Sequence, residues 1–245
     1  MSIMRRLCLI VFVALLFSSC TTVPKRPPTV TGPPAKTPQA GWWYARFGIL
    51  WPKDSKPYWH IDAAIAHQVI RPVLEAHSKD IYLWRFHRRA VRDSAGHQFS
   101  FIFYTSSKSA TQIYKEIQAN GFLQWLQDEG WITRVAYDDT SLISKPDKRD
   151  TSDHNWSKEI QESWPYYIMG ASQMWLSTLT QICQEYQEEH PLLTLEQDLE
   201  AYKKIYDSLT YLWQEEGGHA FLHHLYALFG YVPVKVRQAD LLMRF

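Results

Sequence analysis

Two histidines near the carboxyl end of the chain have the spacing of a metal-binding pair. His219 and His223 are four residues apart, so on one helix both imidazoles share a face, and Glu215 lies one turn earlier. These side chains could hold a zinc ion, the only cofactor that the sequence suggests. Ala220 stands where the HExxH motif has its general-base Glu, so a zinc protease is not indicated. The alternative is that the histidines only flank the apolar face of their helix.

A basic run predicts a second site, for an anion. Along one predicted strand, alternation separates two sets of side chains: Arg85, His87 and Arg89 on one face, and Trp84, Phe86 and Arg88 on the other. We expect the second set to face helices and the first to lie on the open face of a sheet. Guanidinium groups bind carboxylates and phosphates, so an anionic small ligand or an envelope protein is the expected partner. The alternative is that these charges protect an edge strand.

A third group, His60, Asp62 and His67, lies at the start of a predicted helix. Asp62 is off the face that the two histidines share, so we interpret it as a helix cap beside surface histidines. Cys183 lies on an apolar helix stripe, which indicates a buried and inert thiol. The sequence contains no GxSxG, P-loop, GxGxxG or CxxC motif, so no catalytic residues are assigned.

Hydrophobic periodicity predicts the elements that would position these groups. Alternating stretches predict strands, and four-residue apolar spacing predicts helices between them. The order is strand 42–51, helix 59–77, strands 81–90 and 97–105, helix 107–120, and strand 131–139. This β-α-β-β-α-β order predicts a ferredoxin-like α+β domain over residues 42–140, with both helices on one face of the sheet. Pro72 should kink or restart the first helix.

The rest of the chain has a different character. Residues 141–158 are polar and turn-rich and predict a loop, and residues 159–245 predict a helical region packed on the α+β domain. Pro165 suits the first turn of a helix at 163–190, and Thr194 with Gln197 forms a capping-box pattern for the next helix. A last helix is predicted at 219–229, and the tail beyond it could form an edge strand.

The first residues have the pattern of an export signal. Arg5 and Arg6 precede an apolar run from Leu7 to Phe17, which is too short to span a bilayer, and two serines precede Cys20. This stretch resembles the signal peptides of bacterial lipoproteins. The resemblance implies a signal peptide at 1–19 and acylation of Cys20 as the first residue of the mature protein. An ordinary cleaved signal or a short anchor is the alternative.

Residues 20–41 predict a tether. Six of the 13 prolines lie between residues 21 and 41, and such segments adopt extended polyproline II conformations. The tether would hold the globular part off a membrane to which the lipid is anchored. Thr21 replaces the Asp that retains lipoproteins in an inner membrane, so the resemblance implies an outer membrane and a periplasmic location. A formal net charge of +1 and export argue against a nucleic acid partner.

Aromatic content and a second resemblance concern the globular part. Aromatic residues make up 15% of the chain, including 11 Trp, which predicts either a well-filled core or an aromatic-lined groove. Four short segments resemble the C-terminal domain of lantibiotic and thiopeptide dehydratases: Trp43-Tyr44, Pro72-Val73-Leu74, Arg85-Phe86 and His97-Gln98-Phe99. That resemblance implies an α+β order of elements.

No motif in the chain identifies a reaction. We therefore expect an envelope-anchored lipoprotein that acts as a non-enzymatic binding or assembly module at the periplasmic face of a membrane. One alternative is a metal-dependent envelope enzyme that uses His219 and His223. The other is a structural protein of the envelope.

Overall fold

The structure, a computed structural model, describes residues 40–191 and 194–234. The predicted signal peptide, Cys20 and the tether up to residue 39 lie outside the described residues, as does the tail from residue 235. Among the residues described, no helix combines the length and apolar character that crossing a membrane requires.

Four strands form an antiparallel sheet: β1 (Ala40–Ile49), β2 (Leu83–Ala90), β3 (His97–Ser106) and β4 (Ile132–Tyr137). Their order across the sheet is β2-β3-β1-β4. One helical segment connects β1 to β2, a hairpin connects β2 to β3, and two helices connect β3 to β4. The predicted ferredoxin-like α+β arrangement is therefore confirmed. Strand β1 begins at Ala40, two residues before the predicted start of the α+β domain at residue 42.

Helical segments make up much of the rest of the described ranges. The first, α1, consists of an α-helical turn, a π-helical stretch and a second α-helical turn: Trp59–Ala64, Ile65–Ile70 and Arg71–Ala76. The others are α2 (Ser107–Gln118), α3 (Gly121–Asp128), α4 (Lys158–Glu189), α5 (Leu195–Gly217), and α6, which joins the π-helical Gly218–His223 to His224–Leu228. A 3-10 helix at Lys148–Thr151 lies in the segment predicted as a loop.

Two prolines lie in helical segments, one where the sequence predicts a kink or restart and one away from its predicted place. Segment α1 restarts as an α-helical turn at Arg71, with Pro72 in its first positions, directly after the π-helical stretch. Helix α4 begins at Lys158, with the Ser157 side chain as its cap, so Pro165 falls inside the helix rather than in its first turn. The restart predicted at Pro72 is therefore confirmed, and only Pro165 lies away from its predicted position.

The helices and one face of the sheet share a continuous core. Its sheet side is made of fully buried aromatic residues of β1 and β3: Trp43, Phe47, Phe99, Phe101 and Phe103. Helices α4 and α5 add Leu176, Leu179, Leu199 and Ile205 to the same cluster. Helix α4 also lies along the edge of β2, where the Phe86 N–H donates to Ser172 Oγ at 3.1 Å. The helical C-terminal half therefore packs on the α+β unit and covers its β2 edge.

Candidate functional site

The register of the sheet brings basic side chains from three strands onto the face opposite α1 and α2. Cross-strand partners lie side by side on one face. One row of partners is His87, Ser100, Arg46 and Ala136, and the adjacent row is Arg89, Gln98, Gly48 and Arg134. We call the surface formed by Arg46, His87, Arg89 and Arg134 the basic face. It contains two of the three residues predicted for anion binding.

Arg46 is held in place near the centre of the basic face. Its Nη1 lies 3.0 Å from Asp138 Oδ1, and its guanidinium lies 4.4 Å from the ring centroid of Tyr44. Asp138 Oδ2 accepts the backbone N–H of Tyr44 at 3.1 Å, so this carboxylate is itself anchored. One hydrogen bond uses only part of the donor capacity of a guanidinium, which has five N–H groups. Arg46 is therefore preorganised and retains donors for a ligand.

Nearby carboxylates neutralise only part of the positive charge on the other side chains of the basic face. Arg89 Nη2 pairs with Asp93 Oδ2 at 2.5 Å. Arg134 is exposed, and within the described ranges no carboxylate oxygen lies within 4.0 Å of its guanidinium. His87 is also open to solvent. Its pKa is lowered because the surrounding protein desolvates part of the ring and because Arg85 and Arg89 are close. The basic face thus combines two paired arginines with one unpaired arginine and a histidine that an anion would help to protonate.

Arg85, the third predicted ligand-binding residue, is less accessible. Its guanidinium lies 4.9 Å from the ring centroid of Trp164 in α4, and its Nε is buried without a hydrogen-bond partner among the described residues. Burial lowers the pKa of Arg85. The residue lies on the predicted face of β2, but a helix distant in sequence covers it, which strand alternation cannot reveal.

The other half of this face is covered by apolar contacts. Trp42, Leu83 and Ile102 form a small buried cluster against Met169 of α4. The segment after β4 covers it: the backbone N–H of Trp42 donates to Lys145 O at 2.9 Å, and the Tyr104 hydroxyl donates to Pro146 O at 2.7 Å. The open part of the sheet is therefore confined to the basic face.

A buried charge cluster lies on the helix side of the sheet. Arg88 Nε donates to Asp62 Oδ2 at 2.7 Å, and His97 Nε2 lies 3.0 Å from Asp62 Oδ1. The side chains of Asp62 and His97 are fully buried. Burial alone would lower the pKa of Arg88, but the charges of Asp62 and Tyr206 and their hydrogen bonds raise it.

The role predicted for Asp62 was wrong. Tyr58 occupies the cap position of α1 and makes no side-chain cap bond, whereas Asp62 lies in the first turn and points into the interior. The sequence did contain a signal for this pair. Alternation places Arg88 on the same face of β2 as Trp84 and Phe86, and a buried guanidinium requires a carboxylate partner.

The two histidines near Asp62 are buried, not at the surface as the sequence predicted. His67 Nδ1 lies 2.6 Å from the hydroxyl of Tyr202, and burial lowers the pKa of His60 and of His67 to about 4. Cys183 is a free, buried cysteine whose pKa burial raises to about 12. The thiol is therefore unsuited to nucleophilic chemistry at neutral pH.

The histidines of α6 stack on one another. The ring centroids of His219 and His223 are 5.1 Å apart with an interplanar angle of 15°, and His224 lies edge-on to both. Imidazoles that bind one ion direct nitrogen atoms at a common point, whereas stacked rings lie parallel. Across the part of the chain that the structure describes, no group of three or more His, Cys, Asp or Glu side chains is arranged to hold a metal ion.

Comparisons with known proteins identify no relative. No family model, no curated protein and no solved structure matches the chain. The resemblances to bacterial lipoproteins and to the dehydratase domain therefore stay predictions.

Proposed function

We propose that this chain is an envelope lipoprotein whose globular part is a non-enzymatic binding module. Acylated Cys20 would anchor it at an outer membrane, facing the periplasm, and the proline-rich tether would hold the module off the lipid. The proposed ligand carries carboxylate or phosphate groups, either on a small molecule or on an envelope protein. It would dock on the basic face.

The observation that carries this proposal is the convergence of Arg46, His87, Arg89 and Arg134 from three strands onto one open surface. A sheet holds such groups rigidly, so little conformational entropy is lost when they bind a ligand. Guanidinium groups form charge-assisted, often bidentate hydrogen bonds with carboxylates and phosphates. Two carboxylates, Asp93 and Asp138, leave part of this positive charge unpaired.

Calorimetric titration with phosphate, pyrophosphate and citrate at low ionic strength tests the binding site. The triple variant Arg46→Gln/Arg89→Gln/Arg134→Gln should weaken the tightest of these interactions by about tenfold or more, since charged hydrogen bonds are lost. A matched control is Arg71→Gln/Lys108→Gln/Lys115→Gln, which removes the same charge from α1 and α2. Equal affinity in the two triple variants would show that only net charge matters and would refute the basic face.

The anchor is tested separately. Cys20→Ser should move the protein out of the membrane fraction and abolish labelling by a radioactive fatty acid. The control is Cys183→Ser, which removes the buried thiol and should leave both results unchanged. Membrane retention and labelling of the Cys20→Ser protein would contradict the lipoprotein proposal without affecting the basic face.

A further inference from the structure

A second candidate binding site lies away from the basic face. A cavity of about 950 Å³ opens where the loop after β1, the first turn of α1, the end of β2 and α5 meet. Residues that shape it include Trp51, Trp59, His60, Arg92, Lys203 and Tyr206. Ala90 also lines it and alternates with Arg89 along β2, so the cavity lies on the helix side of the sheet. We call it the tryptophan cavity, and its size is typical of small-molecule sites.

Contacts with Arg88 hold two aromatic side chains of the tryptophan cavity in place. The guanidinium carbon of Arg88 lies 4.9 Å from the ring centroid of Trp59 and 5.3 Å from that of Tyr206. Arg88 is itself held by its ion pair with Asp62. The ring of Trp59 also meets His97 edge to face at 4.8 Å. The Trp59 and Tyr206 rings are therefore held in place by contacts outside the cavity, which lowers the entropic cost of binding a ligand between them.

Arg92 fixes the wall on the loop side. Its guanidinium lies 3.4 Å over the ring of Trp51 and donates to the carbonyl oxygens of Trp51, Pro52 and Ser55 at 2.8–3.2 Å. Because these partners are neutral carbonyls, the positive charge of Arg92 is not offset by them. These contacts hold the loop after β1 against the guanidinium of Arg92 and the ring of Trp51.

The charge of the tryptophan cavity favours an anion. Its lining contains three cations, Lys56, Arg92 and Lys203, and one carboxylate, Asp207. Lys203 pairs with Glu200 at 2.5 Å, but both side chains are about half exposed or more, so this pair is weak and can be exchanged for a ligand. The site would therefore attract a negatively charged group beside its aromatic walls.

His60 provides a buried polar group in the same wall. The residue is only 8% exposed, and its Nε2 has no hydrogen-bond partner among the described residues. Burial and the charge of Lys203 keep its pKa near 4, so the ring is neutral at pH 7 and can either donate or accept one hydrogen bond. His60 thus contributes a neutral, buried ring to the cavity wall, and the positive charge of the lining comes from Lys56, Arg92 and Lys203.

We propose that the tryptophan cavity binds a small amphipathic anion: a planar apolar body between Trp51, Trp59 and Tyr206, with an acidic group near Lys203. This site goes beyond the proposed anion docking on the basic face, because it requires an apolar body as well as charge.

Fluorescence titration with 1-anilinonaphthalene-8-sulfonate, an aromatic anion, tests the site. We expect saturable binding with quenching of Trp emission. Lys203→Met, which keeps the side-chain stem and removes the charge, should weaken this binding by about tenfold. The matched control Lys204→Met changes the adjacent exposed lysine of α5, which does not line the cavity. Naphthalene-2-carboxylate should compete with the probe, and the neutral naphthalene-2-methanol should compete far less.

A second variant tests the cavity itself. Ala90→Leu should fill part of it and strongly reduce probe binding while near-ultraviolet circular dichroism shows a native fold. The triple variant of the basic face should bind the probe as the unmodified protein does, which separates the two sites. Equal probe affinity in Lys203→Met and Lys204→Met, or full binding by a folded Ala90→Leu protein, would overturn the proposal.

Discussion

The side-chain amide of Asn120 donates a hydrogen bond of 3.1 Å to the carbonyl oxygen of Gln68. Gln68 lies four residues before Pro72, which has no N–H to serve that carbonyl in an α-helix. Helix α4 shows the same arrangement: Ser152 Oγ donates at 2.9 Å to Gln161 O, four residues before Pro165. In both places a side chain from outside the helix supplies a donor that proline lacks, so each helix continues.

Asn120→Ala should destabilise the protein at two points. It removes the donor to Gln68 and also the Oδ1 acceptor that caps α3 through the Leu123 N–H at 3.0 Å. We expect the free energy of unfolding in urea to fall by about 1–3 kcal/mol. Asn120→Ser keeps a cap acceptor and is too short to reach Gln68 O, so its loss should be smaller but measurable. Wild-type stability of Asn120→Ser would show that the Gln68 contact contributes nothing.

Arg88→Met should be among the costly single changes, because it removes the guanidinium that pairs with the buried carboxylate of Asp62 and leaves only the His97 ring beside it. Removing one member of a buried pair costs about 3–5 kcal/mol. The double variant Arg88→Met/Asp62→Leu removes both charges and should recover most of that loss. Arg89→Met, which alters an exposed pair one residue later, should cost less than about 1 kcal/mol. The measurement is chemical denaturation, and equal losses for Arg88→Met and Arg89→Met would contradict the buried pair.

Stability should fall as the pH is lowered from 6.5 to about 4. The pKa of His60 and of His67 is about 4 in the folded protein, against 6.5 when exposed. Above pH 6.5 both states are neutral, so these groups have no effect. Below it the unfolded chain binds protons that the folded chain does not, and the loss is complete below pH 4, on the order of 3 kcal/mol per histidine.

The variant His67→Gln tests this pH dependence, because it cannot take up the proton. Its free energy of unfolding should fall less steeply between pH 6.5 and 4 than that of the unmodified protein. His154→Gln replaces an exposed histidine and should leave the slope unchanged. Identical slopes in the two variants would show that burial of His67 does not control acid stability.

Anion binding at the basic face should strengthen as the pH falls below 6.5. The pKa of His87 is lowered by burial and by Arg85 and Arg89, so the ring is mainly neutral at pH 7. A bound anion favours the charged ring, and affinity therefore rises as the ring becomes protonated. Sulfate is a suitable probe because its own charge is constant over pH 5–8. Calorimetry should show this pH dependence in the unmodified protein and a flatter profile in His87→Gln, and parallel profiles would exclude His87 from the site.

Periodicity alone was sufficient to predict the order of strands and helices and the ferredoxin-like arrangement. The alternation of apolar residues in β3 and their four-residue spacing in α2 are properties of the local sequence. Each pattern was clear enough to identify its element. The basic face was partly predictable for the same reason: His87 and Arg89 share a face by alternation. The lipid anchor at Cys20 also follows from sequence alone and stays a prediction.

Only the tertiary structure decided which of these groups are accessible and which are paired. Trp164 covers Arg85, Asp62 meets Arg88, and Arg46 and Arg134 join the basic face through strand pairing. Asn120 and Ser152 donate to the carbonyl oxygens that lie four residues before Pro72 and Pro165. Such contacts depend on how whole elements pack, and the free energy of that packing outweighs local propensity, so a local pattern cannot predict them.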